Sequence, residues 1–247
     1  MTKSSSNKIT RPLRNHTALI TGATRGIGLA IAQSLARQGC NLILTGRDEK
    51  ALRRISRELA SSKIRILAHP CDVRDPQSID DLFRTTRRQF KRLDILINNA
   101  GIAHANLTVD KLSLPLWKDV IETNLTGMFL VTQAALAMMK PGATIVNNLS
   151  IVANRVFAGL AAYIASKHAA LGLTNTLREE LRGKGIRVIA LMLGATSTDI
   201  WNSFWPQAPR KKMMSPATIA TAVVNAILLP SNATVETLEI LPTIGLL

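Results

Sequence analysis

Short apolar runs, each closed by a glycine, asparagine or aspartate turn, alternate with helix-length amphipathic segments from one end of this chain to the other. That alternation constrains the fold more than any single motif. The residue patterns predict strands over 16–21, 41–45, 63–68, 93–97, 143–149, 186–192 and 236–241. Between them they predict helices over 26–38, 48–61, 114–139, 160–181 and 215–228, with a further helix opening at Pro76. Apolar spacing at Ile27, Ala30, Ile31 and Leu35 marks one helical face, and Gly39 closes that helix. Strands separated by helices of this length imply right-handed crossovers and a parallel sheet covered on both faces. Ligands of such sheets bind at the carboxyl ends of the strands. Every chemically suggestive motif in this chain falls just after a predicted strand, on that edge.

At 247 residues the chain is long enough for one large α/β domain. Residues 1–14 are polar, basic and serine-rich, and read as a flexible N-terminal tail ahead of a single domain over 15–247. That segment has no apolar core of a secretory signal, and no apolar run approaches the ~18 residues needed to cross a bilayer. Two cysteines, Cys40 and Cys71, cannot build a disulfide framework, and a reducing, cytoplasmic location is expected. The formal net charge is +15, with basic residues grouped around 50–57, 84–92 and 178–187. The simplest reading is solvated outer helix faces. The alternative is a field that attracts polyanionic small molecules such as a phosphorylated cofactor or an acyl thioester. With no reading helix or aromatic stacking platform, no nucleic-acid partner is expected.

The turn Thr21-Gly22-Ala23-Thr24-Arg25-Gly26-Ile27-Gly28 joins the first strand to the first helix. Glycine there lets the backbone approach a diphosphate closely, and the helix start supplies free N–H groups and partial positive charge. Gly22, Thr24, Arg25, Gly26, Ile27 and Gly28 are therefore candidate cofactor contacts. An acid at the end of the second strand would bond a ribose 2′-hydroxyl and repel a 2′-phosphate. This chain has Thr45-Gly46-Arg47 there, with no acid until Asp48. Arg25 and Arg47 thus favour NADP(H) over NAD(H). Asp72 and Val73, after the third strand, are placed to hold an adenine, unless Asp72 only caps a turn. Tyr163 and Lys167, four residues apart, share one helix face, with Ser150 upstream. His104 and His168 have no partners at metal-ligand spacing, so no metal site is expected.

Thr-Gly-x-x-x-Gly-x-Gly at 21–28, Asn98-Asn99-Ala100-Gly101, Asn124, Ser150 and Tyr163-x-x-x-Lys167 resemble the short-chain dehydrogenase/reductase family, within it NADP-preferring reductases like the 3-oxoacyl-acyl-carrier-protein reductases. The resemblance runs from about residue 13 to 245. It implies a single Rossmann-type doubly wound parallel sheet of seven strands in the order 3-2-1-4-5-6-7. It implies that Tyr163 donates a proton to a carbonyl oxygen as hydride reaches the carbon. Ser150 would bond the same oxygen, and Lys167 would lower the tyrosine pKa and hold the nicotinamide ribose. Asn124 would complete a proton relay through water. Asn99, Ala100, Gly101, Gly194, Thr196 and Thr198 would line the cofactor. The chain departs from the family where Leu193 replaces the proline of the usual Pro-Gly after the sixth strand, which puts the stiffness of that loop in question.

Residues 199–214 lie where the family places its substrate lid. Trp201, Phe204 and Trp205 can line an apolar pocket or anchor a subunit interface, and residues 151–157 should form another wall. The chain is expected to be an NADPH-dependent reductase of a ketone or other carbonyl, with a 3-oxoacyl thioester among the candidates, assembled as a homodimer or homotetramer. The competing readings are an NAD-linked alcohol or hydroxysteroid-type dehydrogenase and a non-catalytic NADPH-binding regulator.

Overall fold

The computed structural model describes residues 11–60 and 63–246. The elements are β1 (Thr17–Thr21), α1 (Gly26–Arg37), β2 (Asn41–Gly46), α2 (Glu49–Leu59), β3 (Ile66–Pro70), α3 (Pro76–Gln89), β4 (Leu93–Asn98), α4 (Leu114–Ile121), α5 (Gly127–Leu136), β5 (Met139–Asn148), α6 (Ala161–Arg182), β6 (Arg187–Leu193), α7 (Trp201–Phe204), α8 (Pro216–Ile227) and β7 (Thr237–Ile240). All seven strands form one sheet in the order β3-β2-β1-β4-β5-β6-β7, and every pairing is parallel. This is the doubly wound, Rossmann-like single domain that the alternation and the family resemblance anticipate.

The period-two geometry of strands divides the core. Ile20, Leu42, Leu44, Ile95 and Ile97 point to one face and pack with α1 and α8. Leu19, Ile43 and Leu96 point to the other, against apolar side chains of α3, α5 and α6. Covering both faces is why the strands read as unbroken apolar runs. The two cysteines lie in these separate clusters, both free and buried.

Helix starts are set by side-chain caps. The Asp48 carboxylate accepts from Ala51 N at 2.9 Å, Asp75 from Gln77 N at 3.0 Å and the Ser215 hydroxyl from Thr218 N at 3.1 Å. The second and third of these helices carry proline in the first turn, where its missing N–H costs nothing.

Several boundaries move. The third strand lies at Ile66–Pro70 rather than 63–68, because its register with β2 pairs Leu42 with Ile66 and Gly46 with Pro70. The helix expected over 114–139 is two helices joined by a π-helical turn at Glu122–Thr126, and it stops at Leu136. Met139 opens β5 instead, and Leu93 N donates to Met138 O at 3.0 Å. An apolar stretch such as 131–139 suits a buried helix or a buried strand, and pairing with β4 decides it. Pro141 and Gly142, expected as a helix stop, sit in the exposed start of β5 where its register with β4 shifts. Of the expected tail, residues 1–10 lie outside the described residues, whereas Leu13 is buried and its N–H donates to Gln38 O at 3.1 Å. Ser61, the expected end of the second helix, is also outside them.

Part of the basic surface is structural. Arg187 donates to the carbonyls of Ile227, Leu229 and Ala233, and Arg178 to those of Val188 and Glu236. These two arginines brace the β6–β7 edge and are not solvated charge. Others on the helix faces pair locally, such as Arg53 with Glu49 and Arg182 with Glu179. Among the described residues no helix is long and apolar enough to cross a membrane.

Candidate active site

The carboxyl ends of β1, β2, β4, β5 and β6 open onto one cleft of about 800 Å³. All of the cofactor and catalytic candidates named from the sequence except Gly28 and Asn124 line it.

The glycine turn forms one end. Gly22 and Gly26 hold positive φ of 62° and 55°. Thr21 Oγ1 accepts from Asn99 N at 2.9 Å and Ala100 N at 3.0 Å, and Asn99 Nδ2 donates to Thr21 O and Gly22 O at 3.0 and 3.1 Å. This knot ties the ends of β1 and β4. It also explains Gly28, where a Cβ would lie 2.3 Å from Gly22 O and 2.4 Å from Asn99 Nδ2. Gly28 thus serves the packing of α1 on the turn. Helix α1 begins with no side-chain cap and no acid in its first turn. Its opening N–H groups remain available to an anion.

Ser150, Tyr163 and Lys167 come together on the central wall. Ser150 Oγ donates to Leu193 O at 3.4 Å and accepts from Val152 N at 3.3 Å, and its hydroxyl lies close enough to act on the Tyr163 phenol. Burial pushes the Tyr163 phenol up to about 12, and the Ser150 contact works against that rise. Burial lowers Lys167 to about 8. Its Nζ donates to Asn148 O at 2.8 Å and lies 5.7 Å from the Tyr163 ring centroid. The two shifts share a cause, since each favours the neutral form of a group removed from water.

Asn124 sits in the π turn between α4 and α5. Its Oδ1 accepts from Ile102 N at 2.8 Å, and its Nδ2 donates to Ile102 O and Ser166 Oγ at 2.9 and 3.0 Å. The side chain therefore fastens the loop after β4 to α6.

At the far end Arg47 and Arg25 line the cleft. Arg25 faces Asp199 at 3.6 Å, an exposed pair of small energetic weight. Asp72 is gripped by Arg74 through Nη2–Oδ2 at 2.6 Å and Nε–Oδ1 at 3.0 Å, which holds its carboxyl below the ordinary value. Arg74 also pairs with Asp119 of α4. Arg74 carries no motif, and the sequence reading did not find it.

After β6, Gly194 N donates to Ile240 O at 2.9 Å, and a Cβ on Gly194 would meet Leu241 and Pro242 at 2.7 and 3.1 Å. Packing against the end of β7 restrains this loop where Leu193 replaces the proline. Thr196 O accepts from Trp201 Nε1 at 2.8 Å. Met214 N donates to Ala195 O and Ser197 N to Met214 O, which closes the base of the 199–214 segment. Trp201 lies 4.9 Å from Phe204 and 6.0 Å from Trp205 between ring centroids. His104 Nδ1 and His168 Nδ1 lie against the backbone oxygens of Ala105 and Ile164. Among the described residues no three His, Cys, Asp or Glu side chains group as a metal site.

A doubly wound sheet with a glycine turn, and a cleft at its strand ends lined by a half-buried Ser150 and buried Tyr163 and Lys167, defines a dinucleotide-fold protein. Residues 16–209 match the family model of short chain dehydrogenases, so the chain belongs to that family. It is 34% identical over 236 residues to sulfoacetaldehyde reductase 2 of Chromohalobacter salexigens, covering 91% of this chain and 93% of that one. Among solved structures it resembles a short chain dehydrogenase of Burkholderia cenocepacia in complex with NADP (TM-score 0.86, 28% identity, 95% and 98% of the two chains). It also resembles a 3-ketoacyl-(acyl-carrier-protein) reductase of Brucella melitensis complexed with NADH (TM-score 0.85, 27% identity, 94% and 98%).

The lysine shift carries a stability prediction. With a folded pKa of about 8 against an ordinary 10.5, the buried ammonium costs stability fully below pH 8, and this cost vanishes as pH rises to 10.5. Lys167→Met should therefore be more stable than the parent at pH 7 by ~1–2 kcal/mol, after allowing for the lost bond to Asn148 O. That advantage should shrink between pH 8 and 10.5 in urea titrations. An advantage independent of pH would show that burial of charge is not its source. The Tyr163 shift acts in a separate window, lowering stability as pH rises from 10 towards 12.

Proposed function

We propose that this chain is an NADPH-dependent reductase that converts a ketone or other carbonyl to an alcohol, with Tyr163 as the proton donor. The observation that carries the reading is the meeting of Ser150, Tyr163 and Lys167 on the wall of one cleft whose other end is an uncapped helix start. A binding-only protein has no use for a buried tyrosine and lysine set beside that serine.

The cleft fits a dinucleotide. Gly22, Thr24, Gly26 and Ile27 would receive the diphosphate, Val73 and Ala100 the adenosine side, and Gly101, Gly194, Thr196 and Thr198 the nicotinamide half. A Cβ on Gly101 would lie 3.3 Å from Asn124 Oδ1 and 3.8 Å from Lys167 Nζ, so its backbone stays close to the lysine. When bound, the reduced nicotinamide supplies hydride to the carbonyl carbon. Tyr163 gives its proton to the carbonyl oxygen, and Ser150 donates a hydrogen bond to that oxygen as charge develops. The Lys167 ammonium stabilises the phenolate that remains. Asn124 acts by holding Ile102 and Ser166 in place, and its backbone at the π turn is where a relay water would sit.

NADP is favoured over NAD because β2 (Asn41–Gly46) ends with no acid and is followed by Arg47, and Arg74 already pairs with Asp72 after β3. A cytosolic location rests on two free, buried thiols and is checked by cell fractionation.

Tyr163→Phe should bind NADPH with unchanged affinity and lose ~10²–10⁴-fold in turnover; retained turnover removes Tyr163 from the mechanism. The parent should bind NADPH more tightly than NADH by fluorescence titration. Arg47→Ala should weaken NADPH by ~10–100-fold and leave NADH nearly unchanged; tighter NADH binding by the parent would reverse the cofactor assignment. Homo-oligomerisation is supported by exposed Trp117 and Phe129 on α4 and α5. Sedimentation should show a dimer or tetramer, and Phe129→Glu should shift it toward monomer; a monomeric parent ends that part of the reading.

A further inference from the structure

Resting on the reductase reading, we infer that the substrate is a neutral ketone carried on a bulky apolar body of fused or aryl rings, and is neither a small anionic aldehyde nor a carrier-bound thioester. Beyond Ser150 and Tyr163 the cleft runs between the loop after β5 and α7, walled by Val152, Phe157, Leu160, Phe204, Trp205 and Leu246. The charged side chains that line the cleft are Lys167 at its centre and Arg25, Arg47, Asp72, Arg74 and Asp199 toward the glycine turn. Among the described residues none lines the apolar end, and the polar side chains there are Asn106 and Ser203.

The neighbouring cations are engaged elsewhere or lie outside the lining. Arg210 donates to Thr198 O and to Asn202 Oδ1, Arg155 pairs with Glu239 at 3.6 Å, and Lys211 and Lys212 are exposed and do not reach the cleft wall. A sulfonate or carboxylate entering here would lose water without gaining a partner. A pantetheine arm would bring two amides to a wall that offers two polar side chains, one of which, Asn106, is packed against Gly159. The aromatic lid is built for the opposite ligand. The indole N–H of Trp201 is satisfied by Thr196 O, so the Trp201–Phe204–Trp205 cluster contributes apolar ring surface. Phe157, Trp205 and Leu246 stay 39%, 40% and 45% exposed at the mouth. A rigid apolar body removes that surface from water and stacks on it with little loss of rotamer freedom.

The test uses the full chain with NADPH and three probes: 1-decalone, sulfoacetaldehyde and acetoacetyl-CoA. 1-Decalone should exceed both others in kcat/KM by at least ~100-fold, and Trp205→Ala should cut that value ~10-fold through KM. A preference for acetoacetyl-CoA or sulfoacetaldehyde overturns the inference and leaves the reductase reading standing. In the Tyr163→Phe variant loaded with NADP, 1-decalone should quench tryptophan fluorescence without turnover. No quenching overturns the inference. Quenching with no turnover of any carbonyl by the parent ends the reductase reading and the substrate inference with it.

Discussion

The site depends on how the carboxyl ends of three central strands are tied together. Thr21 and Asn99 exchange four hydrogen bonds across the ends of β1 and β4, counting those that reach Ala100 and Gly22. Asn148 at the end of β5 donates to Asn99 Oδ1 at 2.9 Å, and its carbonyl accepts from Lys167. One level deeper, Asn98 Nδ2 donates to Asn147 Oδ1 and Thr132 Oγ1, and Asn147 Nδ2 to Thr174 Oγ1. Side-chain amides thus continue the sheet past its last backbone pair. Buried polar networks of this kind rigidify as their members are satisfied, and among the described residues Asn98 Oδ1 is the buried side-chain atom of this network left without a partner. The glycine turn, the loop after β4 and the lysine are held in one frame by a single chain of contacts.

That frame sets the electrostatics. Tyr163 and Lys167 are both driven toward their neutral forms by burial, which is unfavourable for each group taken singly. They share one helix face, with Lys167 Nζ 5.7 Å from the Tyr163 ring centroid, so a phenolate at Tyr163 would be the anion that the ammonium lacks. The cost of burying a lysine is borne by the folded state, as expected where function and stability compete. At the other end, the Asp72–Arg74–Asp119 chain joins the loop after β3 to α4, and Arg47 acts on Asp72 through its charge.

Much of this was legible in the residue order. The glycine turn announced itself by position, Tyr163 and Lys167 by a four-residue spacing, and the sheet by its alternation. Other features left weaker marks. The Asn98-Asn99 and Asn147-Asn148 doublets repeat at the ends of adjacent strands and were a readable hint of the amide ladder. Arg74 gave no hint, because its grip on Asp72, two residues away, and its pairing with Asp119, 45 residues away, both depend on how the loop after β3 folds against α4. The π turn at Asn124 was hidden inside an apolar helical pattern that fits α-helical and π-helical windings alike. The strand start at Met139 was missed because Pro141-Gly142, exposed at the head of β5, read as a helix stop.

Sequence alone determined which segments alternate, where the backbone must turn through glycine and which chemical groups are available. These are local properties, carried by φ preference, apolar spacing and side-chain type. Tertiary structure decided which groups meet, how deeply each is buried and which charges are already spent on partners. The same tyrosine, lysine and aspartate have ordinary acidities in an open chain. Only removal from water and contact with residues distant in sequence give them the acidities they have in the fold.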